Sequence, residues 1–250
     1  NAWHENWQDV DIDTILQVFN YPRVKKTLDI MKPYLPKEGR VIEAGCGLGP
    51  WLIKLSRLDY NIIGIDYQEG CVKKIKEYDR KQLVSAADVK YIPFADNSFS
   101  AYLSFGVIEH FAEGPGAALK EACRVMNDGG RLILFVPYKN MFLKIKAPLV
   151  CLKRNLFIRK IFKKPPASFY YQRYFKVKEL KETVEESGFI IDIVKPVDHI
   201  FSLVEFSGVF RNRNSYDGEN KSAVILGNFL EKFLPWLGAG SILVIAHKGG

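Results

Sequence analysis

Cysteine is scarce in this chain, and its spacing excludes two kinds of small domain. The 250 residues include four cysteines, and no two of them form a C-x-x-C pair. The sequence therefore predicts neither a metal site of the zinc type nor a disulfide framework. Unpaired thiols are typical of a reducing compartment, which favours a cytoplasmic location. The four residues are Cys46, Cys71, Cys123 and Cys151.

Long hydrophobic runs are also missing. No stretch of about 18 apolar residues occurs, so no membrane-spanning helix is predicted. The first 20 residues are polar and aromatic, which does not fit the apolar region of a signal peptide. With 48% hydrophobic residues and 250 residues in all, we expect 1–250 to form one globular domain.

Acidic residues are absent from one long segment. Between Lys139 and Lys164 nine residues are basic and none is acidic, whereas the net charge of the whole chain is +8. The segment is also rich in leucine, isoleucine and phenylalanine. Such a basic, amphipathic stretch either packs on the domain as a lid or lies on an anionic membrane surface as a peripheral contact. Nucleic-acid binding is disfavoured, because the segment has no tyrosine or tryptophan for base stacking.

One glycine-rich turn stands out among the residues that are present. Residues 41–49 read VIEAGCGLG, so a short apolar strand leads into three glycines at alternate positions, and a helix is predicted over 51–58. Glycine allows a ligand to approach the backbone closely and permits positive φ. The spacing differs from the G-x-G-x-x-G dinucleotide fingerprint, because no glycine follows at the last position. The free N–H groups at the start of the helix are expected to point at this turn.

A second acid follows the next predicted strand. Residues 61–66 read NIIGID, and Asp66 comes 17 positions after Gly49, which is where the ribose-binding acid of a nucleotide fold belongs. Strands alternating with helices predict an α/β fold with a doubly wound, mostly parallel sheet covered on both faces. The further predicted strands are 83–87, 99–105, 131–137, 189–195 and 241–247.

In this order the motifs resemble the class I S-adenosylmethionine-dependent methyltransferases, in particular the small-molecule and lipid methyltransferases. The resemblance is strongest over 36–137. It implies a Rossmann-like sheet of seven strands, the last antiparallel and inserted between the fifth and sixth. It also implies S-adenosylmethionine as the cofactor, with the first motif on its methionine part, Asp66 on its ribose and Asp88 near its adenine. The cofactor-binding residues implied are Glu43, Gly45, Cys46, Gly47, Gly49, Asp66, Tyr67, Asp88, Val89, Ser104 and Phe105.

Three regions lie outside these motifs. Residues 1–35 are predicted to form an N-terminal helical cap, the basic insertion 139–170 follows the fifth strand, and a second excursion, 196–221, follows the sixth. Ligands of open parallel sheets bind beyond the carboxyl ends of the strands, so both segments are expected to form substrate walls. A helix is predicted over 222–234, with an apolar face made of Ile225, Leu226, Phe229 and Phe233.

The reaction implied by the resemblance needs a general base only if the methyl acceptor is a hydroxyl. The candidates are His110, after the fourth strand, and His199, after the sixth. For His110 the alternative is a hydrogen-bonded link beneath the cofactor, and for His199 it is a place on a surface loop. Candidate substrate-side residues are Trp3, Tyr138, Tyr174 and Arg211.

Three functions are consistent with the sequence. The first is an enzyme that methylates a lipid, a quinone or a lipid-linked glycan at the membrane face. The second is a soluble metabolite methyltransferase in which the basic insertion is only a lid. The third is a non-catalytic protein that binds S-adenosylmethionine or a partner and keeps the fold.

Overall fold

The computed structural model describes residues 10–146, 171–212 and 218–250. Its strands are β1 Val41–Ala44, β2 Ile62–Asp66, β3 Val84–Ala86, β4 Phe99–Phe105, β5 Met126–Pro137, β6 Phe189–Val197 and β7 Ser241–Lys248. They form one seven-stranded sheet in the order β3-β2-β1-β4-β5-β7-β6. Strand β7 runs antiparallel to both β5 and β6. The predicted fold is therefore confirmed, including the insertion of the last strand between the fifth and sixth.

Helices cover both faces of this sheet. The helices predicted over 51–58 and 222–234 are found at Pro50–Ser56 and Lys221–Phe233, and residues 141–146 are also helical. Among the described residues, none of the helices is long and apolar enough to cross a bilayer. The helices are α1 Ile12–Leu16, α2 Pro22–Met31, α3 Pro50–Ser56, α4 Glu69–Tyr78, α5 Gly116–Val125, α6 Val177–Glu186, α7 His199–Phe206, α8 Lys221–Phe233 and α9 Pro235–Gly238.

The central strands are buried on both faces. All four residues of β1 are buried, with Ile42 in one hydrophobic cluster and Val41 in the other. Covering helices on both sides explain why these strands read as continuous apolar runs rather than as alternating ones. Strand β5 begins five residues before its predicted start, because Met126 pairs with Phe99 ahead of an irregularity in the ladder.

The described part of the N-terminal cap, 10–35, packs across the second cluster. The carboxylate of Asp11 caps α1 by accepting the Thr14 N–H at 3.2 Å. At one end the hydroxyl of Tyr78 on α4 donates to Asp13 at 2.7 Å, and at the other Arg23 on α2 pairs with Asp198 at 3.4 Å. The cap therefore connects the β2–β3 side of the domain to the chain that follows β6.

Helix α8 forms where the sequence predicts it, but its apolar face points outward. Ala223 and Leu230 are buried, and Gly227 allows close contact with α7, since a Cβ there would lie 2.5 Å from Cγ1 of Ile200. Small residues thus decide which side of α8 packs. The predicted apolar face, Ile225, Leu226, Phe229 and Phe233, is exposed.

Candidate cofactor and acceptor site

The glycine turn has the backbone conformation that its sequence requires. Gly45, Gly47 and Gly49 have φ angles of 77°, 54° and 71°, a region that residues with a Cβ rarely occupy. The N–H groups of Gly45 and Cys46 both donate to the Ile65 carbonyl, at 2.8 and 2.9 Å. These bonds hold the turn against β2, so its shape does not depend on a ligand.

Gly45 also makes room for the turn after β4. A Cβ at Gly45 would lie 2.4 Å from Cγ2 of Val107, which is closer than any real contact. The turns after β1 and β4 therefore meet because position 45 lacks a side chain. The sequence predicts that another group approaches the backbone of Gly45 closely. Only the fold shows that this group is the side chain of Val107.

Asp66 connects β2 to the glycine turn. One carboxylate oxygen accepts the Gly47 N–H at 2.7 Å and the other accepts the Gln68 N–H at 2.8 Å. Burial raises the pKa of this carboxyl, and the two N–H donors lower it. Each carboxylate oxygen has about two acceptor sites, so both keep capacity for a further donor such as a hydroxyl.

Glu43 is a buried acid whose second oxygen is unsatisfied. It lies in the middle of the sheet, between Gly64 on β2 and Leu103 on β4, and it is 2% exposed. Within the described residues its Oε2 has no hydrogen-bond partner. Burial raises its pKa to about 8, the negative charge of Asp66 adds to this, and the Leu52 N–H at the start of α3 opposes it. A buried carboxylate in this state favours a cationic partner.

These features fit S-adenosylmethionine. Its positively charged methionine part suits the orphaned oxygen of Glu43, and its ribose hydroxyls suit the remaining acceptor sites of Asp66. Gly45, Gly47 and Gly49 would lie along it with their backbone. Cys46 would contribute backbone only, because its side chain is buried and burial raises the pKa of its thiol well above the usual value.

The adenine side would be formed by the ends of β2 and β3. Tyr67 is 73% exposed directly after Asp66. The carboxylate of Asp88 accepts the Lys90 N–H at 2.9 Å and is half-buried, while Val89 is buried. The Ala87 N–H donates to the Asp66 carbonyl at 3.0 Å, which brings the two strand ends together. The geometry thus places Tyr67, Asp88 and Val89 at one edge with Asp66.

The two predicted cofactor residues at the end of β4 are turned inward. Ser104 is 1% exposed. The ring of Phe105 stacks on Trp51 at a centroid distance of 4.9 Å and lies 6.3 Å from Phe135. Any contact of Ser104 with a cofactor would therefore use the backbone, whereas the ring of Phe105 is partly buried against Trp51 at the start of α3.

Glu109 and His110 form a buried acid–imidazole pair after β4. Glu109 is 3% exposed, its Oε2 lacks a partner within the described residues, and burial raises its pKa to about 8. His110 Nδ1 lies 2.9 Å from the Tyr171 carbonyl, so Nδ1 carries the proton and donates. Its Nε2 is 3.7 Å from Glu109, and burial lowers the pKa of the imidazole. His110 is thus anchored by the Tyr171 carbonyl, and its lowered pKa favours the neutral imidazole, which fits the link predicted beneath the cofactor.

His199 is buried rather than part of a surface loop. It is 3% exposed, and its Nε2 donates to the Pro235 carbonyl at 2.6 Å. Burial lowers its pKa. The bond joins the start of α7 to the start of α9, so the side chain holds two helices together. A role as general base would require this contact to open.

A short strip of chain, 171–175, joins the ends of β4 and β5. The Arg173 N–H donates to the Glu109 carbonyl at 2.9 Å, and Phe175 exchanges backbone bonds with 137–139. Phe175 is fully buried, whereas Tyr174 is 39% exposed at the rim. The strip forms a wall at the edge where the acceptor is expected.

Tyr138 borders the same edge from β5. Its ring contacts Trp236 of α9 edge-on, with the centroids 5.5 Å apart. Sequence reasoning missed Trp236, although an aromatic residue just ahead of the last strand is a usable signal. Arg211 is exposed and pairs with Glu205 at 3.3 Å. Trp3 lies outside the described residues, as does most of the basic insertion (147–170).

Comparison with known proteins agrees with this geometry. Residues 42–134 match the sequence model of a family described as "Methyltransferase domain". The probable tRNA methyltransferase 9B of Mus musculus is 35% identical over 125 residues, which are 49% of this chain and 26% of that protein. An uncharacterized protein of Methanocaldococcus jannaschii is 29% identical over 188 residues, which are 72% of this chain and 78% of that protein.

A solved structure shows the same fold. The S-adenosylmethionine-dependent methyltransferase of Methanosarcina mazei has a TM-score of 0.63 and 18% identity, covering 92% of this chain and 98% of that one. Residues 42–134 therefore carry a methyltransferase domain, and the fold is that of a class I S-adenosylmethionine-dependent methyltransferase, which implies S-adenosylmethionine as cofactor. It spans about a quarter of the length of the mouse relative.

Proposed function

We infer that this protein transfers the methyl group of S-adenosylmethionine to an apolar small molecule, of the lipid or lipid-linked type. The sulfonium supplies an activated methyl group, so the protein mainly positions the acceptor in line with it. Glu43, Asp66 and the glycine turn would hold the donor. Among the described residues, the side chains bordering the acceptor edge are mainly aromatic.

The observation that carries the acceptor class is the aromatic pair Tyr138–Trp236, beside the strip with Tyr174. Aromatic side chains offer large apolar contact area with a few polar atoms for orientation, as in sites for small molecules. The anchored, neutral His110 lies at the same edge. Its test as a base is the pH profile of the rate, which a positioning role would leave unchanged.

A second candidate acceptor is tRNA. It is favoured by the relatives named as tRNA methyltransferases, although the matches cover only 26% and 16% of the length of two of them. A soluble metabolite is the third candidate acceptor, and these matches do not distinguish it from the other two. The methylated products of the three acceptor classes differ in their solubility in organic solvent and in their sensitivity to ribonuclease.

The test is transfer of a labelled methyl group in a cell extract, followed by separation into organic, aqueous small-molecule and RNA fractions. Label in the organic fraction supports the proposal. Label in a ribonuclease-sensitive fraction supports tRNA instead, and label in the aqueous fraction supports a soluble metabolite. Cofactor binding by calorimetry with no transfer to any fraction would favour a non-catalytic binding protein.

Two variants make this assay specific. Asp66→Ala removes the acceptor of two backbone N–H groups and of the expected ribose contact, so we expect at least about a hundredfold weaker cofactor binding. Asp128→Ala is the matched control, because this side chain is 72% exposed and pairs only at the surface with Lys248. It should transfer methyl groups like the unaltered protein.

A further inference from the structure

Within the part of the chain that the structure describes, the outward face of α8 is a cluster of exposed apolar side chains. Ile225 is 72% exposed, Phe229 51% and Phe233 58%, and Leu226 is also exposed. Spaced four apart, Ile225, Phe229 and Phe233 lie on one side of the helix. The two phenylalanine rings touch, with centroids 4.9 Å apart. Together with Leu226 we call this surface the α8 face.

Lysines flank the α8 face. Lys221 precedes Ile225 by one turn, and Lys232 places its ammonium 5.2 Å from the centre of the Phe233 ring. The one acid of this helix, Glu231, lies on another side and pairs with Lys26 of α2. Within the described helix the outward face is therefore apolar and cationic, with no negative charge.

We propose that the α8 face docks on an anionic lipid bilayer. A helix that presents apolar side chains outward, with lysines at their border, lies in the interface plane with the apolar groups among the acyl chains and the ammonium groups near the headgroups. Each lysine close to an anionic surface adds to the attraction. This inference does not depend on the identity of the methyl acceptor.

A second copy of the chain fits the α8 face less well. A two-fold contact would bring Lys221 and Lys232 of one copy close to the same lysines of the other copy, with no acid on the face to compensate. A 13-residue helix is about 20 Å long and offers a strip of roughly 200 Å², far below the ~800 Å² per partner of a stable interface. A bilayer needs no matching shape, so a narrow strip is sufficient.

A basic segment also packs on the helical unit that includes α8. Residues 141–146 start the segment with nine basic and no acidic residues, and they pack on the same helical unit. The Phe142 and Phe206 rings lie 4.9 Å apart, and Asn140 donates to the Ala239 carbonyl at 2.7 Å. Residues 141–146 therefore pack beside α7 and the end of α9, close to where Trp236 meets Tyr138.

Vesicle flotation tests the proposal. The unaltered protein should float with phosphatidylcholine vesicles that contain phosphatidylserine, and should do so less with phosphatidylcholine alone. Phe229→Gln combined with Phe233→Gln should weaken binding by about tenfold or more, because two partly exposed aromatic side chains no longer leave water. Lys221→Gln and Lys232→Gln should each weaken binding to the anionic vesicles by about fivefold.

A matched pair of variants separates this surface from general hydrophobicity. Ile225→Gln changes the α8 face, whereas Ile190→Gln changes an isoleucine of β6 that is 55% exposed elsewhere. Only Ile225→Gln should reduce flotation, and thermal unfolding should show that both variants are folded.

Four results would overturn the proposal. The unaltered protein does not float with anionic vesicles, or it floats equally well when the α8 face is substituted. Sedimentation shows a dimer that Phe229→Gln dissociates, without vesicle binding. RNA binding is lost in Phe229→Gln while vesicle binding is absent, which would make the surface a nucleic-acid contact.

Discussion

The cofactor edge and the α7–α9 unit use apolar residues in opposite ways. At the cofactor edge, β1 and β2 are buried on both faces, and the polar groups that remain, Glu43 and Asp66, are held inside by the backbone. In α8 the small residues Ala223 and Gly227 face inward, and the large ones face water. The first arrangement buries polar groups at a fixed site, and the second leaves an apolar surface exposed for the proposed contact with a bilayer.

The largest expected effect on stability is at the glycine turn of the cofactor edge. Gly45→Ala combines a positive φ with a Cβ 2.4 Å from Val107, so we expect a loss of about 3–5 kcal/mol in the free energy of unfolding. Val107→Ala in the same chain should recover part of it by removing the clash, as measured by denaturant unfolding. Gly116→Ala is the control, because nothing lies within 4 Å of a Cβ there. A loss as large in the control would contradict this account.

The next test compares two neighbours on α8. Leu230 is 6% exposed and packs inward, so Leu230→Ala should cost about 2–3 kcal/mol of unfolding free energy. Phe229→Ala should cost less than about 0.5 kcal/mol, because the side chain is already half in water. Equal losses of unfolding free energy in the two variants, measured by chemical denaturation, would contradict this orientation of α8.

The pH dependence of cofactor affinity tests the role of Glu43 at the cofactor edge. Its pKa is raised to about 8 by burial, so the carboxyl is mostly protonated at neutral pH in the free protein. A cationic cofactor favours the ionised form and therefore releases a proton on binding. Affinity should rise by up to about tenfold per pH unit towards pH 8 and then level off. Calorimetry in buffers of different ionisation enthalpy measures the proton, and Glu43→Gln should remove the slope. A flat profile in the unaltered protein would refute this assignment.

The smallest expected effect concerns His199. His199→Ala should lower the unfolding free energy by about 1–2 kcal/mol through loss of the bond to Pro235, and cofactor affinity should be unchanged. Burial lowers the pKa of this imidazole below its unfolded value, so its stabilisation is present at higher pH and is lost as pH falls through the folded pKa. His247→Ala is the control, because it removes a partly exposed pair with Asp192 and should change the unfolding free energy less. An unchanged melting temperature for His199→Ala would leave His199 free for catalysis.

Several roles were predictable because they depend on short stretches of chain. Glycines at 45, 47 and 49 imply positive φ, which the structure confirms, and the acid that ends a buried strand lies at the sheet edge, where Asp66 accepts the Gly47 N–H. The buried state of His199 was not predicted. It requires contact between the start of α7 and Pro235, 36 residues later, and neither segment shows this by itself.

The sequence by itself determined the order of strands and helices and the position of the cofactor turn, since apolar runs and glycines act on their own neighbours. Only the tertiary structure decided which side of α8 packs. Gly227 lets that helix approach Ile200 on one side, and the larger side chains are left outside. It also decided the charge state of Glu43 and the contact of Gly45 with Val107, because burial and distance depend on residues brought together from separate parts of the chain.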